Sequence, residues 1–273
     1  MNLELIAKDL ARIGEQSALR SHGAESPAPD RSTVIRLIGE LHALLFPGYF
    51  RTGEMPARER LAMIEVQMRE QIRAAATFVG APCDPEGTTA EFLSRLPHVK
   101  ELLLKDVEAL YEGDPAAVCR EEVLICYPGF YAISIYRMAH ELYTLSVPLL
   151  PRIMTEYAHE KTGIDIHAGA TVGEYFFIDH GTGIVIGETT VIGDHVKLYQ
   201  GVTLGAKSFE VDENGNPVKS IKRHPNIGNH VIIYANATIL GGNTFVGDGS
   251  VIGGNVWLTH STEPGSKIYY REQ

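Results

Sequence analysis

The 273-residue sequence predicts an α + β protein, in which an all-helical domain over residues 1–160 precedes a left-handed parallel β-helix over residues 161–260 and a tail over residues 261–273. Two observations lead to this prediction. Apolar residues recur at helical spacing in the first half of the chain, whereas in the second half an aliphatic residue recurs every six residues, often before a glycine. With 44% hydrophobic residues, the chain can build a core in each half.

The helical pattern appears three times before residue 80. Apolar residues three or four positions apart are Leu3, Ile6, Leu10 and Ile13, then Ile35, Ile38, Leu41 and Leu45, and then Leu61, Ile64, Met68 and Ile72. Residues 21–31, rich in proline, alanine and charge, are predicted to form a loop. Prolines are predicted to separate the helices at Pro47, Pro56, Pro82, Pro97, Pro115, Pro128 and Pro148.

The six-residue repeat fits neither the period of a helix nor that of an isolated strand, and it is typical of a hexapeptide β-helix. Its aliphatic positions are Ile166, Val172, Ile178, Ile186, Ile192, Leu198, Leu204, Ile227, Ile233, Leu240, Val246, Ile252 and Leu258. Each hexapeptide forms one side of a triangular coil, so these side chains stack into an interior column. Each buried one contributes about 1.5–3 kcal/mol, and a small residue after it lets the backbone turn the corner.

Interruptions of the six-residue repeat indicate candidate functional segments. Two extra residues fall on residues 179–183, Asp-His-Gly-Thr-Gly, and predict a bulge that pushes side chains out of the wall. An extended loop over residues 206–226 interrupts the coil. Its basic residues are Lys207, Lys219, Lys222 and Arg223. They are either solvated or form the edge of a binding site for an anionic ligand. No repeat is visible after Leu258, and the tail is predicted to cap the open edge.

Composition and charge narrow the class of protein. A formal net charge of -10 argues against a nucleic-acid partner, because neutralising phosphates requires concentrated lysine and arginine. The first residues include acids and no long apolar run, so we expect neither a signal peptide nor a membrane span, and we expect a cytoplasmic location. Cys83, Cys119 and Cys126 form no CxxC pair, and we expect reduced, partly buried thiols that do not act as nucleophiles.

A histidine beside a carboxylate is the main catalytic candidate. His180 lies in the predicted bulge, and Asp165 precedes it by fifteen residues, close to one coil of three hexapeptides. The two side chains are therefore predicted to lie on neighbouring coils, within reach of each other. Such a carboxylate would fix the tautomer of the imidazole and stabilise the imidazolium, which makes the histidine a competent general base. For His167 we favour a packing or ion-pairing role over catalysis.

Several motifs are more specific than the repeat itself. They are Gly-Ile-Asp-Ile-His at residues 163–167, the eleven residues 179–189 from the bulge to Gly-Glu-Thr, Arg-His-Pro at 223–225, Asp-Pro-Ala at 114–116, Pro-Gly-Phe at 128–130, and Tyr136, Arg137 and His140. In these motifs the chain resembles serine O-acetyltransferase, a hexapeptide-repeat enzyme of cysteine biosynthesis. The likeness covers the later helical domain and most of the β-helix.

The resemblance implies direct transfer of an acetyl group from acetyl-CoA to the hydroxyl of L-serine, which gives O-acetylserine without an acyl-enzyme. His180 matches the general base of the family and Asp165 its orienting carboxylate. Glu188 lies close to the base in the family and is included with the catalytic residues, although its role is less defined. The alternative for Glu188 is a solvated residue of the wall.

The resemblance also assigns the residues that bind serine. Arg223 and His224 match those that hold the serine carboxylate, where a guanidinium makes paired, charge-assisted bonds. Asp114, with Pro115 after it, and Asp179 match those near the amino group. The alternatives are an ordinary loop cation for Arg223 and a helix N-cap for Asp114.

Acetyl-CoA, in the family, lies in a groove between subunits and is bound mainly by backbone groups of the later coils. The matching residues are Gly205, Ala206, Tyr234, Ala235, Asn236, Gly253 and Gly254. Small residues let the pantetheine arm approach the wall, although the corners of a coil need small residues in any case. The resemblance implies no metal.

The family resemblance further implies a homotrimer with an active site shared between chains, or a dimer of trimers joined through the helical domains. The usual Gly-Val-Pro-Ala-Arg stretch after the last coils is missing here. Many members end in an isoleucine that docks into O-acetylserine sulfhydrylase, and this tail ends instead in Tyr-Tyr-Arg-Glu-Gln. The resemblance thus leaves a complex with that enzyme open, and the missing isoleucine argues against it.

Other functions are compatible with the same repeat. A hexapeptide-repeat carbonic anhydrase needs three histidines on zinc, and this sequence lacks the His-x4-His pair of such sites. An acetyltransferase for a sugar or xenobiotic hydroxyl is a second alternative, against which Asp114 and Arg223 argue because they suit a zwitterionic amino acid. A non-catalytic scaffold is a third, and it would not depend on His180.

Overall fold

The computed structural model describes residues 2–15, 28–208, 210–219 and 221–270. Most of the loop predicted over residues 21–31, and the last three residues of the tail, lie outside the described residues. In the described part of the chain, seven helices come first. They are α1 (Leu3–Glu15), α2 (Arg31–Leu45), α3 (Ala57–Val79), α4 (Pro85–Gly113), α5 (Arg120–Cys126), α6 (Pro128–Thr144) and α7 (Leu150–Thr162).

The helices follow the predicted apolar spacing, and capping residues define several ends. The Asp30 carboxylate accepts the Ser32 N–H at the start of α2, and Gly80 ends α3 in a left-handed conformation. Pro97 lies inside α4, so the prediction that it separates two helices was wrong. Helix α6 is the most buried helix of the domain and packs against α4 and α7. No described helix is long and apolar enough to span a membrane.

The second half of the described chain forms three parallel sheets, which are the faces of a triangular prism. The first face contains β1 (Asp165–Ile166), β4 (Val185–Ile186), β7 (Thr203–Gly205), β10 (Thr238–Leu240) and β13 (Trp257–Leu258). The second contains β2 (Thr171–Val172), β5 (Val191–Ile192), β8 (Asn226–Ile227) and β11 (Phe245–Val246). The third contains β3 (Phe177–Ile178), β6 (Lys197–Leu198), β9 (Ile232–Ile233), β12 (Val251–Ile252) and β14 (Lys267–Ile268).

From β1 to β13 consecutive strands visit the three faces in turn, and each strand pairs in parallel with the strand one coil away. The predicted fold class, helices followed by a left-handed parallel β-helix, is confirmed. Two details of the repeat were wrong. The interior residue of β10 is Ile239, paired with Leu204 and Leu258, and not Leu240. The coil also continues past Leu258, because β14 pairs with β12.

Three columns of turns run along the edges of the prism. We call the turns between the third and first faces the His180 corner (residues 179–184, 199–202, 234–237 and 253–256). The turns between the first and second faces are the Arg223 corner (residues 167–170, 187–190, 206–225 and 241–244). The remaining column is the His195 corner. The two corners that contain predicted site residues thus lie on opposite sides of the first face.

Helix α6 covers the open end of the prism. The Tyr136 hydroxyl donates to the Ala170 carbonyl at 2.5 Å, and Arg137 donates to the Gly173 carbonyl at 2.8 Å. Arg137 also forms a buried bidentate ion pair with Asp106, whose Oδ1 accepts the Phe176 N–H at 3.0 Å. These hydrogen bonds provide partners for backbone groups of the first coil, whose edge would otherwise be unpaired. They also hold the helical domain against the prism. The three cysteines are exposed, so the expectation of partial burial was wrong.

Candidate active site

His180 is displaced from the wall by the two-residue bulge. Asp165 pairs with Val185, so this coil spans 20 residues where a regular coil of three hexapeptides has about 18. The backbone of His180 is left-handed, with φ 55°, and the glycines at 181 and 183 also have positive φ. Because of this conformation the imidazole projects outward, 69% exposed, and its Nδ1 lies 3.6 Å from the Asp179 carboxylate.

Asp114 from the helical domain lies on the same side of the prism as His180. It is the C-cap residue that follows α4, and the N-cap of α5 is Cys119, so the alternative of an N-cap before Pro115 was wrong. Its Oδ2 accepts the Tyr127 hydroxyl at 2.5 Å and its Oδ1 accepts the Ala116 N–H at 2.8 Å. These two bonds, with a smaller contribution from the nearby His180, hold the pKa of Asp114 below its usual value. The His180 corner therefore carries two carboxylates around one imidazole.

Glu188 and Arg223 form an ion pair at the other corner. Glu188 Oε2 accepts Arg223 Nη2 at 2.5 Å, while Oε1 accepts the Tyr143 hydroxyl at 3.1 Å. Burial would raise the pKa of Glu188, but the bonds from Arg223 and Tyr143 outweigh it and the pKa lies below its usual value. Both partners are about three-quarters buried, with 22% and 23% of the side chains exposed. Glu188 is therefore a fixed anion and not a solvated wall residue.

Thr189 organises the segment that carries Arg223 and His224. Its Oγ1 accepts the backbone N–H groups of both residues, at 3.0 and 3.1 Å. Its own N–H donates to His224 Nδ1 at 3.1 Å, so a neutral His224 carries its proton on Nε2. Burial, and then the charge of Arg223, lower the pKa of His224 to about 4. His224 is thus a neutral Nε2–H donor beside a guanidinium at pH 7.

Gly187 permits the close approach of His224 to the wall. A Cβ at this position would lie 2.1 Å from His224 Cδ2 and 2.2 Å from Nε2, far inside van der Waals contact. The imidazole lies against the backbone of the preceding coil for this reason. In the Gly-Glu-Thr motif, then, glycine makes room for His224, glutamate holds the Arg223 side chain, and threonine holds the backbone of both.

Asp165 is placed differently from our expectation. It lies on the first face at the start of β1, level with Val185 of the next coil. Among the described residues, no hydrogen bond or ion pair joins Asp165 to His180, whose carboxylate contact is Asp179. The expected contact assumed a coil of 18 residues, whereas the bulge lengthens this one. The orienting role of Asp165 stays a prediction.

The predicted site residues thus fall into two groups within one chain. His180, Asp179 and Asp114 lie at the His180 corner, and Glu188, Arg223 and His224 lie at the Arg223 corner. Pro115 follows Asp114 in the turn between α4 and α5. The width of the first face separates the groups.

The residues predicted to bind acetyl-CoA are divided in the same way. Tyr234, Ala235, Asn236 and Gly253 lie at the His180 corner, in the coils that follow His180. There the rings of Tyr199 and Tyr234 stack with centroids 5.2 Å apart. Gly205 ends β7 and Ala206 opens the long loop of the Arg223 corner. Successive turns of the His180 corner therefore form a column that leads to the imidazole.

Three residues that contact the site were not predicted from the sequence: Thr189, Tyr127 and Tyr143. Thr189 could have been singled out, because it belongs to the Gly-Glu-Thr motif. Tyr127 and Tyr143 carry no such signal, since they reach the site from the helical domain. Each donates its hydroxyl to a carboxylate that the sequence analysis had selected, Asp114 and Glu188.

Comparison with known proteins identifies the family of the chain. No protein-family model matches the chain. The plasmid serine acetyltransferase of Synechococcus elongatus is 47% identical over 264 residues, which cover 89% of this chain and 82% of that protein. The crystal structure of Entamoeba histolytica serine acetyltransferase 1 in complex with L-cysteine is 35% identical, with a TM-score of 0.77, and the match covers 85% of this chain and 86% of that one.

A serine acetyltransferase solved in complex with CoA is 26% identical, with a TM-score of 0.60, over 88% of this chain and 86% of that one. In the described part of this chain, no group of three or more His, Cys, Asp or Glu side chains is arranged to hold a metal ion. The sequence identity, its extent and the shared fold lead to one conclusion: the chain belongs to the serine acetyltransferase family.

Proposed function

We propose that this protein transfers the acetyl group of acetyl-CoA to the hydroxyl of L-serine, with His180 as general base. The observation that carries the proposal is the left-handed bulge, which presents an exposed imidazole beside Asp179 and near Asp114. A base with one nitrogen near a carboxylate and the other exposed is suited to take a proton from a hydroxyl. The family to which the chain belongs supplies the reaction.

Recognition of serine uses its two charges. Asp114 and Asp179 attract the ammonium group, and Arg223 attracts the carboxylate with charge-assisted hydrogen bonds. Neutral His224 adds an Nε2–H donor and no second positive charge, since its pKa is lowered to about 4 by burial and by Arg223. A neutral sugar carries no charge for either set of groups, so it would not gain these charge-assisted bonds and would bind more weakly.

The chemical step follows from this placement. The serine oxygen attacks the thioester carbonyl as its proton passes to Nε2 of His180, while Nδ1 lies towards Asp179. The tetrahedral intermediate collapses by breaking the carbon–sulfur bond, and the imidazolium returns the proton to the CoA thiolate. O-Acetylserine and CoA are released, and the base is regenerated without an acyl-enzyme. Asp165 keeps its predicted role of stabilising the imidazolium as part of this proposal.

Acetyl-CoA is proposed to lie along the His180 corner. The CoA complex of a related serine acetyltransferase supports binding by this family. Tyr234, Ala235, Asn236 and Gly253 lie in the column of turns that leads to His180, and the small residues Ala235 and Gly253 allow the pantetheine arm to approach the wall. Gly205 and Ala206 would meet the cofactor from the other corner.

The division of the site between two corners supports a site built from two chains. If the His180 corner of one chain faces the Arg223 corner of the next, every contact is of the same heterologous kind, and three such contacts close a ring. Helix α1 supports a further contact between helical domains, because its apolar stripe of Leu3, Ile6, Leu10 and Ile13 is exposed. We therefore propose a trimer, or a dimer of trimers, located in the cytoplasm. Light scattering at the 30.0 kDa of a single chain would contradict the assembly.

The function is tested by CoA-thiol release with serine, homoserine, threonine and simple sugars as acceptors. We expect serine to be preferred, and His180→Ala to lower kcat by about 10²–10⁴-fold. His195→Ala is the matched control, because His195 has the same left-handed backbone, with φ 57°, at the remaining corner. Preference for another acceptor, or equal activity of both variants, would show that the proposal is wrong.

A further inference from the structure

Tyr143, near the end of α6, reaches from the helical domain into the Arg223 corner. Its hydroxyl donates to Glu188 Oε1 at 3.1 Å, and the edge of its ring contacts His167, with centroids 5.9 Å apart and planes at 84°. Glu188 Oε2 in turn accepts Arg223 Nη2 at 2.5 Å. The two oxygens of Glu188 are therefore divided between a tyrosine of one domain and an arginine of the other.

Because Glu188 contacts Arg223 through one oxygen only, N–H groups of the Arg223 guanidinium stay available to another carboxylate. Arginine has five N–H groups in a planar fork that binds a carboxylate through two parallel hydrogen bonds. Among the described residues, Arg223 uses one N–H of Nη2 on Glu188 and one of Nη1 on the Ile221 carbonyl, at 3.4 Å. The remaining N–H groups have no partner in the described part of the chain. If Glu188 turned both oxygens to Arg223, the fork needed by a substrate carboxylate would be occupied from within.

We propose that Tyr143 is a positioning residue for serine binding: its hydroxyl holds Glu188 in a single-oxygen contact with Arg223 and so keeps the guanidinium fork open for the serine carboxylate. This inference rests on the proposed function. Tyr143 does not touch the reacting atoms and acts through Glu188. The Tyr143 hydroxyl favours acceptors that carry an α-carboxylate. Removal of this hydroxyl therefore weakens acceptor binding and leaves the chemical step unchanged.

The test is Tyr143→Phe, which removes the hydroxyl and keeps the ring against His167. We expect the KM for serine to rise about tenfold, because a hydrogen bond to a charged group is lost and Glu188 competes for Arg223. We expect kcat within about twofold of wild type and an unchanged KM for acetyl-CoA. Tyr136→Phe is the matched control, because it removes a hydroxyl that α6 donates to the Ala170 carbonyl at 2.5 Å. It should lower the melting temperature and leave the KM for serine unchanged.

A double-mutant cycle separates positioning from a general structural effect. In a Glu188→Ala background Tyr143 has no carboxylate to hold, so Tyr143→Phe should cause no further change in the KM for serine. The inference is overturned if Tyr143→Phe leaves that KM within twofold of wild type, or if its effect persists in the Glu188→Ala background. If the wild-type protein does not acetylate serine, the proposed function fails instead, and the two failures are distinguishable.

Discussion

Replacing Thr189 with valine removes the hydroxyl that organises the Arg223 corner while preserving the shape of the side chain. Oγ1 of Thr189 accepts the backbone N–H groups of Arg223 at 3.0 Å and His224 at 3.1 Å, and lies 2.9 Å from His224 Nδ1. Valine provides no acceptor for either N–H group. The segment that carries Arg223 and His224, which we propose bind the serine carboxylate, would therefore lose two of its hydrogen bonds to the preceding coil.

The size of the effect follows from these two bonds. A buried donor left without a partner costs about 1–3 kcal/mol, and the lower value applies here because Thr189 is only partly buried and water can reach the loop. Two bonds at about 1 kcal/mol each give about 2 kcal/mol. If this energy is lost from serine binding, the KM for serine rises about 30-fold, since 1.4 kcal/mol corresponds to a factor of about ten.

The measurement is the initial rate of CoA-thiol release, with serine varied at saturating acetyl-CoA and then acetyl-CoA varied at saturating serine. Thr189→Ser is the control, because it retains the hydroxyl and should keep the KM for serine within about threefold of wild type. The KM for acetyl-CoA should be unaffected in both variants. An equal rise in both variants, or a Thr189→Val enzyme with the wild-type KM for serine, would refute the role given to the hydroxyl.

Two further predictions concern histidines. Gly187→Ala places a Cβ within 2.2 Å of the His224 ring, so we expect the imidazole to be displaced and the KM for serine to rise at least about tenfold. Circular dichroism should show that the β-helix is intact. An unchanged KM for serine would contradict the contact. His42 is buried with its pKa lowered to about 4, against about 6.5 when unfolded. The unfolded chain binds more protons in that window, so stability should fall by up to about 3 kcal/mol as pH falls from 6.5 to 4. Denaturant unfolding at both pH values checks this, and His42→Gln should flatten the dependence.

The fold could be predicted because the repeat is a direct consequence of stacking. The same position of each hexapeptide must be aliphatic to fill the interior, and this requirement is visible in one sequence. The errors lie where that requirement weakens. Ile239 and Leu240 are both aliphatic, so spacing alone could not choose between them. Strand β14 follows its partner β12 by 16 residues, because Val251 pairs with Lys267, and this short coil breaks the period.

The site was harder to predict because much of it depends on contacts between domains. The bulge at residues 179–183 was visible as a slip in the repeat, and it does carry His180. Its effect on coil length was not visible, so the expected contact with Asp165 is absent from the described residues. Tyr143 and Glu188 are 45 residues apart in sequence, and their hydrogen bond leaves no local pattern.

Two tyrosines give the helical domain a direct role in the candidate site. Tyr127 donates to Asp114 at the His180 corner, and Tyr143 donates to Glu188 at the Arg223 corner. In both cases a hydroxyl from the helical half fixes the orientation of a carboxylate that belongs to the proposed serine site. Burial and the neighbouring carboxylate raise the pKa of each tyrosine, so both stay protonated donors at neutral pH. In the proposed serine complex, the helical half therefore sets the geometry at both charges of the bound amino acid, in addition to any part in assembly.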